Sequence, residues 1–243
     1  LRDFWKRYFK FDWRFGLFLI VIICIPRFLL VLKINQTGNY APLGAIMILL
    51  AIVPFIFLNK HGRNVIGLKK TKKWGKLILS LLLGVTFSLI LGYIGTELYG
   101  NSSQNWFHYI GKSYNIPEVI SANDKLALFT MMAGTGMIFS PIGEELFFRG
   151  IVHASFAKSV GEKKASIIDS SAFAITHIAH FGLVYENDNW NFYSFPTIIW
   201  VAGMFLASIL FLKMKKESKS LLGAIICHAG FNLGMTYSIF YLI

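Results

Sequence analysis

Long apolar runs alternate with short polar segments along most of the chain. The runs are Phe15 to Leu32, Pro42 to Leu58, Leu77 to Tyr99, Lys125 onward, Ile167 to Gly182, Phe195 to Leu212, and Leu221 to the end. About 20 apolar residues suffice for a helix to cross a bilayer. The pattern predicts an all-α polytopic membrane helix bundle of seven spans, with an eighth helix if residues 2–14 lie on the surface. The fourth run is too long for one crossing. Leu126 to Phe156 as a helix is roughly 46 Å, against a hydrocarbon core of ~30 Å. Its far end is therefore expected to emerge as a cytosolic helix, and Pro141 is expected to bend it.

Charge orients the bundle. Residues 1–14, 59–76, 158–165 and 213–219 are the strongly basic segments, and they hold most of the 24 Lys and Arg residues. With an odd number of spans and a cytoplasmic N-terminus, all four fall on one side, as the positive-inside rule requires. The net charge of +12 then reflects loops facing anionic headgroups rather than a nucleic-acid surface. Arg27 is expected to snorkel from the outer end of the first span.

Composition adds little but excludes much. At 55% hydrophobic residues the chain does not read as a soluble domain. It reads as a basic, aromatic interfacial segment (1–14) followed by one membrane domain (15–243), with its chemistry concentrated in 125–243. The first run has no small-residue cleavage site and is read as a retained span. Cys24 and Cys227 both lie inside apolar runs and suggest neither a disulfide nor a metal framework.

Several polar residues interrupt the apolar runs. Glu144 and Glu145 are adjacent in the fourth. Arg149 stands four residues after Glu145, on the same helix face, where the two can pair. That leaves Glu144 as a free carboxylate, a candidate general base. A buried structural ion pair is the plainer alternative. His177 lies in the fifth run, and His228 and Asn232 share a face of the seventh. Counted from the nearest basic anchors at 1.5 Å per residue, Glu144, His177 and His228 reach overlapping depths of roughly 13 to 21 Å.

Intramembrane ionisable groups gathered at one depth point to function. A carboxylate and an imidazole can polarise a water, with or without a metal. An imidazole and an amide can donate to an oxyanion. His180 is read as lying nearer the outer end of its span, and Asp169 as solvated near the inner end. There is no His-Glu-x-x-His motif and no Gly-x-Ser-x-Gly elbow. Cys227 adjoins His228 but faces another way, which argues against a cysteine nucleophile.

The three clusters resemble the motifs of the CPBP family, the CAAX proteases and bacteriocin-processing enzymes also called Abi proteins. Glu144, Glu145 and Arg149 match Glu-Glu-x-x-x-Arg. Phe173 and His177 match Phe-x-x-x-His. His228 and Asn232 match His-x-x-x-Asn. The resemblance covers the later spans, and the first three match in character only. It implies an intramembrane endopeptidase. Glu144 is then the general base and His177 its partner at the water. His228 and Asn232 stabilise the oxyanion, and Glu145 with Arg149 holds the geometry.

The family is described as metalloproteases, yet a metal-free glutamate mechanism is also argued for it. A divalent ion such as zinc, if bound, would take Glu144, His177 and His228. No obligatory metal is expected, because ligation by His228 would leave Asn232 alone at the oxyanion. The expected partners are the lipid bilayer and a peptide or protein substrate entering from the membrane or cytosolic side, with no nucleic acid. Short loops and a Lys-, Ile- and Phe-rich composition suggest a bacterial cell membrane. A non-catalytic membrane protein for bacteriocin self-immunity, or one regulating a signalling partner, is the competing reading. A transporter is disfavoured, since no internal repeat is apparent.

Overall fold

The computed structural model describes residues 1–39, 41–117 and 120–243. Tyr40, at the end of the expected turn after the first span, and Glu118 and Val119, in the expected polar loop before the fourth, lie outside the described residues. The chain forms a helix bundle with one β-hairpin. In order the elements are α1 (Asp3–Lys6), α2 (Trp13–Thr37), α3 (Ala41–Phe57), α4 (Lys60–Val65), α5 (Trp74–Tyr99), α6 (Trp106–Lys112), α7 (Ala122–Val160), α8 (Glu162–Thr176), β1 (Leu183–Glu186), β2 (Asn189–Phe192), α9 (Ser194–Ser218) and α10 (Leu221–Tyr241).

Side-chain caps start many of these helices. Asp12 accepts from the backbone N–H groups of Arg14 and Phe15, Asn105 from Phe107 and His108, Ser121 from Asp124, and Ser220 from Leu222. Each satisfies donors that a helix start leaves orphaned.

Among the described residues, four helices are long and apolar enough to cross a membrane: α2, α5, α7 and α9. The other expected spans are shorter or less apolar. Helix α3 is an apolar helix below that length. Helix α8 stops at Thr176, well short of the expected Gly182, and one 3-10 turn, His177–Ala179, follows. The cause is local. The Thr176 hydroxyl donates to the Phe173 carbonyl at 2.7 Å, and His177 Nδ1 lies 2.7 Å from the same oxygen. Two side chains thus compete with the helix for one acceptor.

The expected loop from Leu183 to Ser194 is instead largely an antiparallel hairpin, pairing Leu183 with Phe192 and Glu186 with Asn189. Its two turn residues, Asn187 and Asp188, both have positive φ, the type I′ geometry that matches strand twist.

Helices α5 and α10 pack closest through small residues. A Cβ on Gly84 would collide with the Cys227 carbonyl, and one on Gly230 with the Leu81 carbonyl, so only glycine permits this approach. Helix α7 meets α3 in the same way, with Gly143 against the Met47 backbone. The core near the hairpin is aromatic: Trp106 stacks on Trp200 at 6.3 Å, with Phe181 edge-on to both. Large apolar side chains such as Leu29, Leu82, Ile198 and Leu206 point outward, as a lipid-facing surface requires.

Candidate active site

Helix α7 carries the two glutamates at a break in its own geometry. The expected bend at Pro141 gives way to something else: α-helical geometry continues through Pro141 to Glu144, and the irregularity is a π-helical stretch, Glu145–Val152. Every residue of that stretch is buried. π-Helical turns are uncommon and concentrate at functional sites. Here the Arg149 carbonyl accepts a hydrogen bond from Lys215 Nζ on α9, at 2.5 Å.

Each glutamate lies between one arginine and one histidine. Glu144 Oε1 accepts from Arg27 Nη2 at 2.7 Å and from the Ser140 hydroxyl at 2.9 Å. Its other oxygen, Oε2, has no hydrogen-bond partner among the described residues and lies 3.9 Å from His177 Nε2. Glu145 Oε1 lies 2.8 Å from His228 Nδ1, and Oε2 lies 3.2 Å from Arg149 Nε. The Glu145–Arg149 contact is ionic, without hydrogen-bond geometry on those two atoms.

The second pair is the one expected from its i, i+4 spacing. The first was missed. Arg27 does not snorkel outward: it is 2% exposed and turned inward to Glu144 and Thr176. An unpaired buried carboxylate is costly, and Arg27 offsets that cost across the bundle. A charged residue inside an apolar run is itself the signal that could have found it.

Phe173 joins the two halves of the site. The Arg149 guanidinium sits 4.0 Å from its ring centroid, a cation–π contact, and the His177 ring packs 4.2 Å away. Phe211 stacks on His228 at 4.8 Å. Asn232 Nδ2 donates to the Gly136 carbonyl at 2.8 Å, which ties α10 to α7 above the glutamates.

His180 follows the 3-10 turn at the end of α8, in line with the expectation, and its ring packs 5.4 Å from that of His177 while lining the same cavity. Asp169, expected to be solvated, is fully buried, with Oδ2 3.7 Å from His153 Nδ1. Its partner comes from α7, beyond the reach of local sequence. Cys24 and Cys227 are buried free thiols.

A cavity of about 570 Å³ brings together Glu144, His177, His228 and Asn232, with Arg27 on its wall. Glu145 and Arg149 do not line it and lie behind the His228 ring. The donor set does not fit a bound metal as it stands. No group of three or more His, Cys, Asp or Glu side chains among the described residues is placed to hold one. Glu144 Oε1 is committed to Arg27 and Ser140, and His228 Nδ1 faces Glu145 rather than Glu144.

All seven motif residues fall within a segment, 126–234, that matches a family model described as type II CAAX prenyl endopeptidase Rce1-like. Residues 126–234 are thus similar to Rce1-like endopeptidases. The match is consistent with the CPBP resemblance and covers a little under half of the chain. Searches of curated proteins and of solved structures found no match. The apolar helices and the Rce1-like match together point to an integral membrane protein. Arg27 lies outside the matched segment and reaches it only through the fold.

Proposed function

We propose that the chain is an intramembrane endopeptidase that hydrolyses a peptide bond with a water held between Glu144 and His177. One observation carries this reading. His177 Nδ1 is committed to the Phe173 carbonyl, so that nitrogen carries the proton and Nε2 is a lone-pair acceptor. Glu144 Oε2 is an acceptor as well. Two acceptors 3.9 Å apart need a donor between them. A water about 2.8 Å from each would make an angle of roughly 90° and give one proton to each.

The remaining steps use this chain's own groups. The water oxygen attacks the carbonyl carbon as its proton passes to Glu144 Oε2. Arg27 holds Oε1, so the carboxylate reacts through one defined oxygen. The second Asn232 amide proton and a ring N–H of His228 would face the developing oxyanion. Glu145 holds the His228 ring at Nδ1, and Arg149 balances Glu145. The tetrahedral intermediate collapses by breaking the C–N bond, and Glu144 returns the proton to the leaving nitrogen. The second water proton, left on the new carboxyl, then passes to the amine, so one water yields one carboxylate and one ammonium.

With the seven crossings expected from the sequence, the N-terminus and the α3–α5, α7–α8 and α9–α10 connections would be cytoplasmic by the positive-inside rule, in a membrane that composition suggests is bacterial. N-terminal labelling with mass spectrometry, on membranes carrying wild type or Glu144→Gln, tests the function. New N-termini confined to wild type are expected. Identical termini in both, with the cellular phenotype intact, would favour a non-catalytic immunity or regulatory protein.

A further inference from the structure

Among the described residues, the lining of the cavity that holds Glu144 reaches one end of the bundle. Its mouth is formed by Gln36 and Thr37 at the end of α2, Ser103 and Asn115 flanking α6, and Glu186 on β1. Its walls come from α3, α7, α9 and α10. Its floor is Glu144, Phe173, Phe211 and His228. No lining residue comes from 1–14, 59–76, 158–165 or 213–219, the four basic segments.

The opposite approach is closed. Leu146, Phe147, Phe148, Ile151 and Val152 fill the bundle below Glu144 and are at most 4% exposed. A second cavity of about 680 Å³ does indent the basic face, beside His61, Lys158 and Lys216. It reaches His153 and contains none of the seven motif residues.

We infer that the substrate is a polypeptide presented from the face opposite the basic loops, which the positive-inside rule makes the extracytoplasmic face. This rests on the proposed protease reading and differs from the entry from the membrane or cytosolic side expected from the sequence. The geometry also restricts what enters. A cleft of about 570 Å³ takes a few residues of extended chain rather than a folded domain. Below a polar mouth, Met47, Met132, Met204 and Met235 line the passage to Glu144. Methionine side chains adapt to varied apolar shapes, so apolar residues of differing size beside the scissile bond are accepted. The substrate class is therefore a secreted peptide, or the outer end of an anchored polypeptide, with an apolar stretch at the cut.

The test uses the full chain in spheroplasts, in inverted vesicles and in detergent. The probe is an impermeant, charged, quenched fluorogenic peptide with apolar residues at its centre, chosen from a pool for cleavage by the detergent-solubilised protein. Cleavage by spheroplasts, with at least tenfold less by sealed inverted vesicles and recovery on adding detergent, is expected. Cleavage confined to inverted vesicles, or equal in both sealed preparations, overturns the inference and leaves the protease reading standing. A pool that yields no peptide cut by wild type but spared by Glu144→Gln in detergent defeats both. Gln36→Cys provides a second readout. An impermeant maleimide added to spheroplasts should label it and lower cleavage at least tenfold, while Lys70→Cys stays unlabelled until lysis. Labelling of Lys70→Cys in intact spheroplasts, or of Gln36→Cys only after lysis, overturns the assigned side.

Discussion

Arg27 Nη2 lies 2.7 Å from Glu144 Oε1, across 117 residues of sequence, with both side chains 2% exposed. The pair makes one oxygen of the proposed base an anchor and leaves the other to react. Arg27→Met strands a buried carboxylate and should cost about 3–5 kcal/mol of stability. The double change Arg27→Met with Glu144→Gln should recover most of that stability but no cleavage. Thermal unfolding in detergent, read beside cleavage, separates the two effects. Equal stability of the single and double variants would sink the pairing.

Phe173 should matter more than an ordinary core residue. Its ring supports Arg149 on one side and His177 on the other. Phe173→Leu keeps an apolar side chain but removes the cation–π contact, worth about 1–2 kcal/mol when desolvated. It also frees the His177 ring to tilt. Cleavage should fall by more than the stability loss accounts for, and unchanged kcat would refute the coupling.

Asn232→Ala tests the oxyanion assignment. Loss of one such donor typically lowers kcat about a hundredfold or more. KM should change little, because the interaction strengthens only as charge develops. A large rise in KM with kcat preserved would instead make Asn232 a substrate-binding residue.

Gly84→Ala probes the scaffold without touching the site. The added methyl meets the Cys227 carbonyl, one residue from His228. The helices must part, at a cost of about 1–3 kcal/mol. Unfolding temperature should fall, and cleavage with it as His228 moves off Glu145. A stability matching wild type would show that the crossing is looser than described.

The mouth should loosen in acid. Hydrogen bonds from Ser103 and Tyr193 hold the Glu186 carboxyl below its ordinary value. A depressed folded-state pKa contributes stability above the unfolded value of about 4.3, and that contribution is lost as pH falls through the lower folded value. Melting of the wild type between pH 5 and pH 3 should therefore decline more steeply than that of Glu186→Gln. Parallel curves would remove Glu186 from the account.

The motif residues were legible because each is expensive where it stands. Glu144, Glu145, Arg149, His177, His228 and Asn232 interrupt apolar runs, and the cavity and the Glu145 pair bring them into one site. Arg27 was visible but misplaced. Whether an arginine near the end of a run snorkels or turns inward depends on where a distant carboxylate lies. Asp169 hid for the same reason, since its neighbour His153 belongs to another helix. The early end of α8 at Thr176 turns on two side chains sharing one carbonyl, which hydrophobic periodicity does not record.

The Arg27–Glu144 pair also imposes an order on biogenesis. Arg27 leaves the ribosome 117 residues before its partner, an interval of roughly 6 to 23 s at 5–20 residues per second. Throughout that time the first span carries an unneutralised guanidinium, a burden of about 2.5–3.5 kcal/mol at mid-helix. Its insertion is therefore provisional, held by the rest of that helix and its basic anchor, and becomes secure only when Glu144 emerges to meet it.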